Sequence, residues 1–224
     1  MMKWDFLFLY FCILNTEMKL ILSKPAAVNI ILSAVEVYKK ETYGILLGER
    51  RGKHIRVNQA VSFQSANRDY EYVSMDTARE NRMNHILKHV SGMKIVGDFH
   101  SHPDYPEKLS AHDTEELKKA GEHMVSVLVL IKKTNVSRKW KYDAGGRRMA
   151  GVLAGRYFIG ITASIYNYKK KKAERIPVIC RHIREMNNRA KLYSALEKKL
   201  ERLEHEEKRA HRMKKMLAAK KMRI

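Results

Sequence analysis

One stretch, GDFHSHPDYPEKLSAHD from Gly97 to Asp113, constrains the fold more than any other. Its lead-in, MKIVGDF, is apolar and partly β-branched, the composition of a buried strand. Residues i and i+2 of a strand point to one face, so His100 and His102 can present both rings to one side at the strand's end. Pro103 has no N–H to give to a ladder and ends the strand. After a short loop, SAHDTEELKKAGEH reads as a helix start, with Ser110 as N-cap and Asp113 in the first turn. Asp113 can therefore turn back toward the imidazoles. Two imidazoles and one carboxylate make a ligand set that suits zinc and leaves a fourth position for water.

A lone histidine is usually a surface or satisfied core residue. The frame His-x-His-Pro-x6-Ser-x-x-Asp is far more restrictive, and His100, Ser101, His102, Pro103, Ser110 and Asp113 fill every position of it. Here the sequence resembles the JAMM (MPN+) metalloprotease family, whose signature is His-Ser/Thr-His-Pro-x6-Ser-x-x-Asp preceded by a distant Glu. Upstream, ETYGILLGE looks like the family's Glu-x-x-Gly-x-Leu-Leu-Gly strand, which makes Glu41 the matching acid. The resemblance runs from about Met18 to Cys180.

The resemblance implies zinc bound by His100, His102 and Asp113, with Glu41 as general base. Spacing alone does not bring Glu41 to the histidines, and Glu49 is a rival acid on the same stretch, placed by Gly48 in a turn. Ser110 has two readings. It is an N-cap, and by resemblance it also donates to a tetrahedral oxyanion, a role typically worth about 3–4 kcal/mol. Asp98 reads as a surface acid, with orientation of a zinc-bound imidazole as the sharper alternative. His112 reads as a non-ligand. The implied reaction is isopeptidase cleavage between a lysine ε-amine and the C-terminal glycine of ubiquitin or a ubiquitin-like modifier, with small sulfur-carrier-like proteins as equal candidates. The modifier tail would add a strand beside a sheet edge, flanked by the loop after Pro103 or by Ser65 to Ser74. Three alternatives stand beside this: a non-catalytic MPN scaffold, a RadC-like DNA-associated protein, and a nucleic-acid-associated protein with structural zinc. The ligands present here disfavour the first. Ser101 fits the protease frame better than the asparagine usual in RadC. A closed structural site needs a fourth ligand, which only His112 could supply nearby.

The net charge of +21 predicts attraction to nucleic acid, anionic membrane or acidic proteins and is silent on fold. Two cysteines far apart, Cys12 and Cys180, argue against a disulfide framework and fit a reducing, cytoplasmic compartment. Residues 1–17 carry an apolar run from Phe6 to Leu14, too short for the roughly 20 residues of a membrane span. A signal peptide, an extra apolar segment and a true start at Met18 compete for it; the last is favoured.

The remaining chain alternates helices and strands, which gives an α/β or α+β class directly. By resemblance this is a mixed β-sheet flanked by helices, similar to the cytidine-deaminase-like architecture, over residues 18–180. A short strand spans Met18 to Ser23, and an amphipathic helix follows from Lys24. TYGILLGER and RVNQAVSFQSA read as an antiparallel pair around a turn at RRGKHI. DTARENRMNHILKHVSG is a helix with Asp76 as N-cap and Gly92 past its end. Its His85 and His89 have zinc-binding spacing, but Ile86 stands where His-Glu-x-x-His needs Glu, so an ordinary helix face is the better reading. MVSVLVLIKK is a central strand. Thr134 to Arg148 reads as a loop, and RYFIGITASIYNY with KKKKAERIPVIC closes the sheet around a charged hairpin turn at Lys169 to Lys172.

From Arg181 to Ile224 there is no Gly or Pro, and Leu192, Leu196, Leu200 and Leu203 form a stripe. One long basic helix or a short coiled coil is expected. A homodimer through this stripe is one outcome, although four positions are too few to claim a stable one. Lys208 to Arg223 carries eight Lys/Arg and no acid. It is either a solvated helix end or a salt-sensitive tether to nucleic acid or an acidic partner.

Overall fold

A computed structural model describes residues 17–63, 67–68, 73–74, 77–189, 199, 202–203, 206 and 209. Two compact units divide the chain, residues 1–183 and 184–224.

The first unit runs β1 (Lys19–Leu22), α1 (Lys24–Glu36), β2 (Tyr43–Arg51), β3 (His54–Ser62), β4 (Asn67–Arg68), β5 (Val73–Ser74), α2 (Thr77–Ser91), β6 (Lys94–Pro103), α3 (Ala111–Ala120), β7 (Val125–Lys133), β8 (Lys141–Tyr142), β9 (Arg148–Leu153), β10 (Tyr157–Asn167), β11 (Lys172–Ile176) and β12 (Val178–Cys180). The expected mixed sheet is present, ordered β12-β1-β3-β2-β6-β7-β10-β9-β8, with β11 also on β10. β1 runs parallel to β3 and β12, and β6 parallel to β7; the other pairs are antiparallel. The sheet curls until its two ends touch. Tyr142 of β8 donates its hydroxyl proton to the Cys180 carbonyl of β12 (2.9 Å) and accepts from the Cys180 N–H (2.9 Å).

The central strands are buried on both faces, as their continuous apolar runs require. α1 starts at an N-cap, with Ser23 Oγ accepting from Ala26 N–H and Pro25 in the first turn. It packs against β3, β6 and β7 and buries Ala26, Ala27, Ile30, Ile31 and Ala34. Burial of each isoleucine is worth about 1.5–3 kcal/mol. Another cluster joins Ile45, Leu47 and Phe63 to Leu87 of α2, with Met93 and Ile95. Gly44 sits where strand and core meet closely: a Cβ there would lie 2.3 Å from the Val61 carbonyl oxygen and 2.4 Å from the Phe99 ring. The first glycine of the Glu-x-x-Gly strand is thus a close-approach residue.

β2 and β3 pair antiparallel as expected, but the turn is tighter: the strands reach Arg51 and His54, leaving Gly52 at φ +56 and Lys53. The expected loop over Thr134 to Arg148 is corrected. It holds β8 and the start of β9, and Trp140 is buried against Gly151, where a Cβ would stand 2.5 Å from the indole. The hairpin turn at Lys169 to Lys172 is present between β10 and β11.

Residues 183–189 are helical, and Arg189 pairs with Glu185 at 3.0 Å. Leu192, Leu196 and Leu200 of the expected long helix lie outside the described residues; Leu203 is described and exposed. Residues 1–16, Ser65 and Asp76 also lie outside them. Among the described residues no helix is long and apolar enough to cross a membrane.

Candidate metal centre

β6 ends between β2 and β7, in the middle of the sheet. His100 and His102 lie on one face of it, both buried, with ring centroids 5.2 Å apart. The residue between them faces the other way and does a separate job. Ser101 Oγ accepts from Thr42 N–H (2.9 Å), and Ser101 N–H donates to the Thr42 carbonyl (3.1 Å). Tyr43 pairs with His100 in the β2–β6 ladder, so these two bonds continue the antiparallel pairing and bring Glu41 opposite His102. Glu41 Oε1 stands 3.8 Å from His102 Nε2, and its side chain is 9% exposed. This register is what carries Glu41 to the histidines. Glu49 is not brought there, and it lies within β2 rather than in the expected turn, pairing with Arg51 at 2.9 Å.

Asp113 arrives from the other side, on the first turn of α3. Ser110 caps that helix reciprocally: its Oγ accepts from Asp113 N–H (3.1 Å), and Asp113 Oδ2 accepts from Ser110 N–H (2.7 Å). The cap uses a lone pair of the Ser110 hydroxyl, so its proton is still available for donation. Asp113 Oδ2 also lies 3.5 Å from His100 Nε2 and 3.6 Å from His102 Nε2. His102 Nδ1 lies 3.2 Å from the Pro106 carbonyl oxygen; that oxygen can only accept, so Nδ1 carries a proton there and Nε2 is the ring atom that faces Asp113 and Glu41. Asp98, read from sequence as a surface acid, is instead held half-buried by a hydrogen bond from Ser126 Oγ (2.7 Å), with Oδ1 4.0 Å from His100 Nδ1.

These residues fit a metal ion. His100, His102 and Asp113 each offer a ligand atom, all within 4.8 Å of one another. Ligands of a tetrahedral ion of zinc's size, about 2.1 Å from it, stand roughly 3.4 Å apart, close to the separations of Asp113 from both imidazoles. His100 Nε2 is buried without a hydrogen-bond partner, an arrangement that costs stability unless a ligand fills it. His85 and His89 pack against each other on exposed α2 positions, with centroids 4.6 Å apart, and no third ligand group joins them among the described residues. His112 is exposed and outside the ligand group.

Residues 23–143 match the family described as prokaryotic homologs of the JAB domain, Prok-JAB. The chain belongs to that family. A similar solved structure is the solution structure of a protein from Desulfitobacterium hafniense, 18% identical, covering 72% of this chain and 92% of that one with a TM-score of 0.50; it supports the fold. A search of curated proteins found no match.

Charge in this JAB centre is arranged by the acids around the imidazoles. Burial alone would lower the pKa of His100, but Asp113, Asp98 and Glu41 outweigh it and hold the imidazolium above its ordinary range. Burial would raise the Asp113 carboxyl, yet His100, His102 and the Ser110 N–H hold it well below the usual carboxylate range. The signs set a pH dependence. In metal-free protein the His100 contribution to stability is full below the ordinary imidazole pKa of about 6.5 and fades as pH rises through the elevated folded value. A metal needs the neutral imidazole, so its affinity rises over that same interval. The increase in Tm on adding metal should therefore grow as pH rises above about 6.5. Thermal denaturation with and without metal measures it; an increment that shrank with rising pH would contradict the assignment of His100.

Proposed function

We propose that this chain is a zinc-dependent metallo-isopeptidase, hydrolysing the bond between a lysine ε-amine and the C-terminal glycine of ubiquitin or a ubiquitin-like modifier. The observation that carries the reading is the approach of Glu41 Oε1 to within 3.8 Å of a metal-competent imidazole. A buried carboxylate outside the ligand group, facing an imidazole within it, suits a general base rather than a structural ligand.

His100, His102 and Asp113 would hold the zinc. When bound, zinc is a Lewis acid that polarises the scissile carbonyl and brings the pKa of water from 15.7 toward about 7. Glu41 takes the proton from the attacking water and returns it to the leaving amine, the acid–base work that typically contributes 10²–10⁴-fold. Ser110 Oγ–H donates to the oxyanion as the carbonyl becomes tetrahedral. Pro106 keeps His102 in one tautomer, and Ser101 keeps the Glu41 segment against β6. The test pairs metal analysis with cleavage of lysine-linked modifier conjugates, comparing wild type with a Glu41 variant. A wild type that binds zinc and leaves every such conjugate intact sinks the substrate assignment.

A second partner is favoured by charge alone. The run Lys208 to Arg223 is read as a tether to nucleic acid or an acidic protein, in a cytoplasmic setting consistent with the unpaired, buried Cys180. Deletion of residues 208–224 should weaken binding to a polyanion and flatten its salt dependence, while leaving hydrolysis of a small substrate unchanged. An unaltered salt slope in filter binding would remove the tether.

A further inference from the structure

The loop between Pro103 and Ala111 joins the two elements that bear the ligands. It also supplies the Pro106 carbonyl that fixes the His102 tautomer. Its second half is anchored by one residue that the chemistry does not use. Glu107 turns its carboxylate inward, where it is 13% exposed, and accepts from Arg148 Nε of β9 through both oxygens, at 2.9 and 2.8 Å. The Glu107 carbonyl oxygen accepts from Arg175 of β11. Glu107 Oε1 rests over Gly160 of β10, where a Cβ would lie 2.5 Å from it and 3.3 Å from Arg148 Nη2. The Arg148 guanidinium lies over the Phe158 ring, 5.4 Å from its centroid. Three successive strands therefore shape one receptacle for a loop carboxylate. At the other end of the loop, Asp104 N–H donates to the Ile131 carbonyl (2.9 Å), and Tyr38 donates to Asp104 Oδ2 (2.9 Å).

We infer that Glu107 is a positioning residue for the metal centre, and that its seat between Arg148, Arg175 and Gly160 holds the Pro106 carbonyl where it orders the His102 imidazole. The inference rests on the proposed metal centre and goes beyond it, because Glu107 touches no ligand. Groups that orient a metal-bound imidazole typically change metal affinity about 10–100-fold when lost. An ion pair that merely stabilised the fold would not act selectively on the metal.

Full-length wild type, Glu107→Gln, Arg148→Met and the control Ile30→Ala are titrated with Co²⁺ and followed by its visible spectrum. Melting of the metal-free proteins and the His102 Nδ1–H hydrogen bond by ¹⁵N NMR are measured in parallel. Ile30 is fully buried in α1, far in role from the loop, so its truncation lowers Tm through a cavity. The expected result is a Co²⁺ Kd raised about 10- to 100-fold with an altered spectrum in Glu107→Gln and Arg148→Met, and a wild-type Kd in Ile30→Ala. In the metal-free protein the His102 Nδ1–H is held on the Pro106 carbonyl in wild type, and Glu107→Gln loosens that hydrogen bond. A wild-type Kd with a wild-type Nδ1–H signal in the Glu107 variant overturns the inference, as does a loss of affinity matched by Ile30→Ala. If wild type binds no Co²⁺, the metal-centre reading fails by itself, and the Nδ1–H signal decides whether Glu107 positions the Pro106 carbonyl.

Discussion

Glu41→Gln is expected to lose about 10²–10⁴-fold in kcat/KM on a modifier conjugate while binding a full equivalent of zinc. That range corresponds to roughly 3–5 kcal/mol of lost transition-state stabilisation. The substitution keeps the volume and one oxygen of a side chain that is 9% exposed, so it leaves no cavity. What it removes is a site for the water's proton. The metal stays because the ligand group is His100, His102 and Asp113. Steady-state kinetics and metal analysis on one preparation separate the two effects. Undiminished hydrolysis by the variant would take Glu41 out of the mechanism and leave the register of β2 against β6 without catalytic meaning.

Removal of the ion, or of one imidazole, has the second large effect. An ion in thousand-fold excess over its Kd stabilises the native state by about 4 kcal/mol. At roughly 2–4 °C per kcal/mol for a domain of this size, Tm should rise by on the order of 10 °C. His102→Ala should abolish the rise and bring hydrolysis to background; chelation of wild type should do the same reversibly. Asp113 is a less clean target, because its carboxylate also completes the cap of α3. A His102→Ala protein that kept the whole metal-dependent increment would remove His102 from the ligand set.

The half of the centre from His100 to Asp113 was legible in the sequence because each step of it is local. Strand alternation puts the two histidines on one face, proline ends the strand, and an N-capping serine aims the aspartate back. Glu41 was legible only through resemblance. Its arrival depends on Tyr43 pairing with His100, a long-range register that no local pattern encodes. In the sequence Ser101 is a motif position without a role; its place between two buried ligands, facing the opposite side of the strand, is the available signal. β8 and β9 were hidden by composition. Lys139, Lys141, Arg147 and Arg148 made the stretch look like solvent-exposed chain. Yet Trp140 fills the space over Gly151, and Arg148 spends its charge on Glu107. Asp98 misled for a related reason, since an acid held by a buried serine is indistinguishable in sequence from one on the surface.

The carboxylate of Asp113 begins a helix and faces two imidazoles with the same oxygen. An asparagine at that position would still offer an oxygen to the Ser110 amide but no negative charge to an ion. Architecture and chemistry are thus separable here by a single nucleotide-scale event. A chain of this fold has a short route from metal-competent centre to inert scaffold, with the helix and the sheet left in place.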